Sequence, residues 1–116
     1  MEVDLVDDWL AGLDEKSYGL VVAALELLAD LGPSLGRPLV DSVVASRYKN
    51  MKELRPGSSG RSELRILFAF DPGRRAILLV AGDKAGNWQK WYGKSIPLAD
   101  ERYARHVDRL KEGRNG

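Results

Sequence analysis

The chain of 116 residues has no cysteine, only one histidine and no long apolar run. Each shortage excludes a class of chemistry. Without cysteine there can be no disulfide framework, thiolate metal site or Cys–His nucleophile, and a single histidine cannot supply the His clusters that many metal sites use. Neither a Gly-rich phosphate loop opening a helix nor a dinucleotide fingerprint is present, so no metal and no cofactor are expected. A membrane-spanning helix would need about 20 consecutive apolar residues, and none occurs. Met1-Glu2-Val3-Asp4 lacks the basic stretch and apolar core of a secretory signal, so a cytoplasmic protein without a membrane partner is expected. There is also no internal repeat and no low-complexity segment.

What the chain does have is an ordinary globular composition, 44% hydrophobic and 30% charged, at a length that suits one domain over residues 1–116. The net charge of +1 hides an asymmetry. Through Ala45 there are nine acids and two bases, giving −7; from Ser46 onward there are sixteen bases and eight acids, giving +8. Such a split predicts one anion-seeking face and another turned elsewhere, although Arg102, Arg105, Arg109, Lys111 and Arg114 share one helix and its tail and can be plain solvation.

Glu2 to Leu5 alternates like a short edge strand. From Val6 the period changes, and Val6, Trp9, Leu10 and Leu13 mark one face of a short helix. Asp14 is placed to cap a second helix with the stripe Leu20, Ala24, Leu27, Leu28 and Leu31, ended by Gly32-Pro33. Leu39 to Val44 reads as either strand or loop. Two strands flank the loop from Pro56 to Arg61; Asp71-Pro72-Gly73-Arg74-Arg75 is a turn, and Ala76 to Gly82 is a covered strand. Pro97 fits the first turn of a last helix carrying Ala99, Tyr103, Val107 and Leu110, with Glu101 and Arg105 as an i, i+4 pair and a frayed tail from Gly113. Helix, helix, three strands and helix predict an α+β fold, a helical hairpin and a C-terminal helix packed on an antiparallel sheet.

The central strand pair carries Arg47, Lys49, Lys52, Arg55, Arg61 and Arg65. In the second strand Leu64, Ile66, Phe68 and Phe70 alternate with Arg65, Leu67 and Ala69, which predicts one core face and one face presenting an arginine. A guanidinium among such apolar neighbours needs an acid, a carbonyl or an anionic ligand. The plain partner is Glu53 across the sheet; the functional one is a phosphate. Asp83 to Lys94 interleaves Trp88, Trp91 and Tyr92 with Lys84, Lys90 and Lys94, a composition suited to stacking on bases and neutralising phosphates, or to sealing the end of the core. His106, on the last helix, reads as a solvated or half-buried structural residue.

A cluster of Lys, Arg and Tyr suits RNA cleavage by the ribose 2′-hydroxyl. An arginine can hold the charge developing on the phosphorane, and a tyrosine or a lysine can move a proton if nearby cations lower its pKa, which for tyrosine starts at about 10.

Met51-Lys52-Glu53-Leu54-Arg55, Leu64-Arg65-Ile66-Leu67-Phe68-Ala69-Phe70 and Asp71-Pro72-Gly73-Arg74-Arg75, in this order and spacing, resemble the RelE/ParE toxin superfamily, in particular HigB-type, phage-derived Gp49-like proteins. The resemblance implies a microbial-ribonuclease-like fold and a ribosome-dependent mRNA endoribonuclease of a type II toxin–antitoxin module. Its implied partners are the ribosome, mRNA and a HigA-like antitoxin with a helix-turn-helix. It carries the phosphate-binding arginine onto Arg65, a late tyrosine base onto Tyr92 and further catalytic cations onto Lys52 and Lys84. Lys49, Arg55, Arg61 and Lys90, with Trp88 and Trp91, are the expected RNA-binding set. Glu53 stands where RelE has a lysine, and the catalytic histidines of some HigB proteins have no counterpart. The rival expectations are a ParE-like toxin that binds a topoisomerase and a non-catalytic module binding nucleic acid or a protein partner.

Overall fold

Strand β3, Leu64–Phe70, is apolar at every position except Arg65 because helices cover both its faces. The computed structural model describes residues 1–57 and 60–115; Ser58 and Ser59 of the expected loop, and the terminal Gly116, lie outside the described residues. A 3-10 turn at Asp4–Val6 leads into α1, Asp7–Ala11, and then α2, Glu15–Leu31. Strands β1, Val40–Ser42, β2, Met51–Leu54, β3 and β4, Ala76–Asp83, follow, and α3, Trp88–Asn115, closes the order. The sheet runs β1-β2-β3-β4, antiparallel throughout.

The α2 stripe Val21, Ala24 and Leu28 buries against Leu54, Ile66, Phe68 and Leu78. On the opposite face Ile96, Ala99 and Tyr103 of α3 cover Met51, Leu67, Ala69, Ile77 and Leu79. Burying each large side chain contributes about 1.5–3 kcal/mol, and two such cores, one on each face, hold the sheet. As predicted, the Asp14 side chain accepts from the Ser17 N–H at 3.3 Å and caps α2.

Four expectations need correction. α3 begins at Trp88, not near Pro97, since Asn87 caps it: its Oδ1 accepts from Lys90 N and its carbonyl from Trp91 N, each at 3.1 Å. Pro97 therefore sits inside the helix, which continues past Gly113 to Asn115 where a frayed tail was expected. The ambiguous Leu39–Val44 segment supplies β1 as a fourth strand, paired with β2. The expected N-terminal strand shrinks to one bridge, Glu2 beside Ile77.

His106, the fourth, is buried: its Nε2 donates to Asp71 Oδ2 at 2.9 Å and ties α3 to the β3–β4 turn. Burial pushes the Asp71 carboxyl up, but the hydrogen bond from His106 and the Arg75 N–H more than offset it and hold the pKa below its usual 3.8. The Glu101–Arg105 pair forms as expected.

β4 carries a bulge. Leu67 pairs with Val80 and Phe68 with Leu78, which leaves Leu79 unmatched. Arg102 Nη1 donates to the Leu79 carbonyl at 2.6 Å, satisfying it from α3.

Candidate functional site

Strand parity decides which cations can act together. Arg65 pairs with Gly82 on β4, and the register of β2, extended one step beyond Leu54 opposite Ile66, brings Arg55 across from Arg65. Glu53 lies on the same face, and its cross-strand partner on β1 is Asp41. The result is a row of alternating charges. Arg37 Nη2 lies 3.1 Å from Asp41 Oδ2, Arg55 Nη2 lies 3.3 Å from that same oxygen and 3.4 Å from Glu53 Oε2, and Arg65 Nε lies 3.3 Å from Glu53 Oε1.

The row is shielded towards its inner end. The Arg65 and Glu53 side chains are 16% and 6% exposed. Arg65 Nη1 donates to the Leu64 carbonyl at 2.8 Å, whereas its Nε is not aligned to donate to Glu53; the Nε of Arg55 also lacks an acceptor among the described residues. Two adjacent guanidiniums share one buried carboxylate here, and the Arg55 side chain remains 38% exposed. Such an excess of cation over carboxylate is what an anion cradle requires.

Tyr92 closes the cradle from α3. Its phenol donates to Glu53 Oε1. Burial first, then the Glu53 carboxylate, push its pKa up from 10.0 to about 12, against a smaller lowering by Arg65. The expected cation-lowered tyrosine base is therefore not what forms, because a carboxylate and not a lysine is its nearest charge. The Tyr92 ring meets Trp91 edge-on at 5.1 Å and Trp88 at 6.4 Å between centroids. Trp88 is 56% exposed, while Trp91 packs against the core, as was expected of at least one of the two indoles.

Gly82 makes this arrangement possible. A Cβ there would lie 2.3 Å from Trp91 Nε1, so only glycine lets the indole sit over β4 beside Arg65. Lys84, of the same strand parity as Gly82, lies at this end of the sheet with Nζ 3.7 Å from Glu63 Oε2. Lys90 on the first turn of α3 and Arg61 before β3 are exposed near the same end.

Two expected members fall elsewhere. Lys52 alternates with Met51 and Glu53 and shares parity with Leu54 of the α2-side core, so it belongs to the face away from Arg65. Lys49 precedes β2, at the Phe70 end of β3, about 20 Å along the strands from Arg65 at about 3.3 Å per residue. Sequence reading also undervalued Glu53, the centre of the cluster. Its signal was present, since it shares parity with Arg55 and Arg65.

Beside Tyr92 a groove of about 490 Å³ opens between α3 and the loop 43–50. Among the described residues no three His, Asp or Glu side chains gather as a metal site would require, and no helix is long and apolar enough to cross a membrane.

The family model described as "Phage derived protein Gp49-like (DUF891)" matches residues 8–104. Two proteins of Mycobacterium tuberculosis (strain ATCC 25618 / H37Rv) are similar to the chain. One, named "Putative toxin HigB2", is 58% identical over 111 residues, covering 96% of this chain but 55% of its own length. The other, named "Putative toxin HigB3", is 53% identical over 97 residues, covering 84% of this chain and 82% of its own. The chain thus spans about half the length of the first of these relatives. No solved structure matches it. With the family model and both relatives covering most of its residues, the chain belongs to the phage-derived Gp49-like family of HigB-type proteins.

Proposed function

We propose that this protein is the toxin of a toxin–antitoxin module and cleaves ribosome-bound mRNA without a metal ion, by attack of a ribose 2′-hydroxyl on the adjacent phosphate. The observation that carries the reading is the cradle in which Arg65 and Arg55, the latter with its side chain 38% exposed, flank the single carboxylate of Glu53. The names of the two relatives support the toxin assignment.

In this mechanism Arg65 holds the phosphate and the negative charge that grows on it as the O2′–P bond forms, an electrostatic contribution of about 3–4 kcal/mol to such a barrier. Glu53, the carboxylate touching both Arg65 and Tyr92, accepts the 2′-hydroxyl proton. Tyr92, with its pKa pushed up to about 12, is protonated at neutral pH and gives its proton to the O5′ leaving group as the P–O5′ bond breaks. The Glu53–Tyr92 hydrogen bond then returns the proton to the phenol, and the pair is reset. Arg55, Arg61, Lys84 and Lys90 neutralise flanking phosphates, and exposed Trp88 stacks on a base. A HigA-like antitoxin would neutralise the toxin in the cell.

The test is a reconstituted translation reaction with mRNA ends mapped. Ribosome-dependent cuts are expected from the wild-type protein and none above background from Arg65→Ala. Because Glu53 already fills the cradle, a second reading is a ParE-like toxin that binds a topoisomerase. DNA breaks with intact mRNA after induction would select it.

A further inference from the structure

Arg47 has no part in the chemistry just described, yet it lines the groove that adjoins it. That groove of about 490 Å³ begins at Tyr92, the residue that also closes the cradle. From there it follows α3 to Asp100, a distance of about 12 Å at 1.5 Å per helical residue. Ala45 and Arg47 of the loop 43–50 form the facing wall.

Arg47 is fixed at the end of the groove away from Tyr92. Its main-chain N–H donates to Asp100 Oδ2 at 3.1 Å, and Ser46 Oγ donates to the same buried carboxylate, which clamps the loop onto α3. Its guanidinium carbon lies 5.3 Å from the centroid of the Tyr48 ring, and that ring meets Tyr103 of the α3-side core edge-on at 4.9 Å. Arg37, Arg55, Arg65, Arg75 and Arg105 each pair with a carboxylate, whereas among the described residues none pairs with Arg47. A guanidinium whose face rests on a ring still presents its N–H edge, and that edge is what grips a phosphate. Two acids stand nearby, and both are engaged: Asp100 by the loop and Glu101 by Arg105.

We propose that Arg47 holds a second phosphate of the RNA, and that the groove carries the strand from the scissile phosphate at Arg65 to this one. The site rests on the nuclease reading for its place in the substrate. Ala45, Ile96 and Pro97 give ribose and base an apolar bed. Such contacts track the backbone, and a phosphate contact fixes register without reading sequence. Held at both ends, the intervening strand loses the freedom to swing its 2′-hydroxyl out of line.

Arg47→Ala is the first variant, and it keeps the main-chain bond to Asp100, so its urea midpoint should match wild type. Arg47→Lys restores the charge. Gly93→Leu narrows the groove between its two ends; a Cβ there meets nothing within 4 Å, and leucine favours a helix over glycine.

Two measurements separate the groove from the nuclease reading. In the first, a labelled single-stranded RNA, 2′-O-methylated throughout so that it has no attacking hydroxyl, is bound to the protein at increasing salt and followed by fluorescence anisotropy. Arg47→Ala is expected to bind about tenfold more weakly at low salt and to flatten the slope of log K against log salt by about 0.7, with the slope recovered in Arg47→Lys. In the second, mRNAs carrying one uncharged methylphosphonate linkage at successive positions are cut in the reconstituted translation reaction. One linkage, at a fixed distance from the cut, is expected to lower wild-type cleavage about tenfold and to have no further effect in Arg47→Ala or Gly93→Leu.

An unchanged salt slope in Arg47→Ala, or a linkage effect that persists in it, would overturn the proposal while leaving the nuclease reading standing. Arg47-dependent binding of RNA by a protein that never cuts mRNA would overturn that reading and leave the phosphate site.

Discussion

Glu53 and Arg65 face each other across two antiparallel strands, Oε1 to Nε at 3.3 Å, with both side chains largely withdrawn from water. The pair is held by the sheet on one side and by Tyr92 on the other. Glu53→Gln keeps the shape and a hydrogen-bonding oxygen but removes the charge, and is expected to lower mRNA cleavage by about 10²–10⁴-fold, the range of a lost general base. Arg65→Ala should lower it by about 10²–10³-fold. Circular dichroism and urea midpoints should show both variants folded. Full cleavage by either one would sink the mechanism.

The two lysines first grouped as catalytic part company by strand parity. Lys84→Ala, at the cradle's end of the sheet, should weaken cleavage, whereas Lys52→Ala, on the α2 side, should leave the rate within about twofold of wild type. Single-turnover cleavage of the two variants side by side checks this. The reverse ranking would mean that the register does not define the site.

Gly82→Ala tests the packing of Trp91. The new methyl would fall 2.3 Å from Trp91 Nε1, so the indole must move. A cost of about 1–3 kcal/mol is expected in urea unfolding, the range of overpacked cores, together with a change in tryptophan fluorescence. Unchanged stability and emission would show that the indole has room to spare.

Alkaline stability reports on Tyr92. Its phenol titrates near 10.0 when unfolded and at about 12 in the fold, so between these values the folded state binds more protons and stability falls as pH rises. The contribution is fully present below the unfolded value and lost through the folded one. Urea midpoints measured across that window should decline less in Tyr92→Phe than in wild type.

Acid stability reports on Asp71. Its pKa is held below the usual 3.8, so its contribution is present above that value and lost as pH falls through the folded one. Asp71→Asn should flatten this part of the acid profile. At neutral pH it should also cost about 1.5–3 kcal/mol, because a charge-assisted bond to buried His106 is gone. Thermal unfolding as a function of pH measures both effects.

How much of the site was legible varies with the kind of information. Arg65 stood out because an arginine in an apolar strand is conspicuous, and the Asp14 cap was readable because its partner is three residues away. Lys52 was misplaced because closeness in sequence to Arg55 counted for more than alternation. The start of α3 was missed because Gly86 and Gly93 look like loop residues, although Trp88, Trp91, Tyr92, Ser95 and Ile96 already carry a helical spacing.

The chain by itself determined what depends on period, parity and local hydrogen bonds: the helical hairpin, the central strands, the turn at Asp71 and the α+β class. These follow from side-chain direction and backbone preference within a few residues. Tertiary structure alone decided that β3 is covered on both faces, that His106 is buried against Asp71 and that Glu53 joins Arg55, Arg65 and Tyr92. It also decided that a tyrosine expected to lose its proton easily holds it more tightly. The electrostatic field at a side chain is set by what long-range packing brings within a few ångströms, and residues 39 positions apart, as Glu53 and Tyr92 are, meet only when the sheet and α3 have come together.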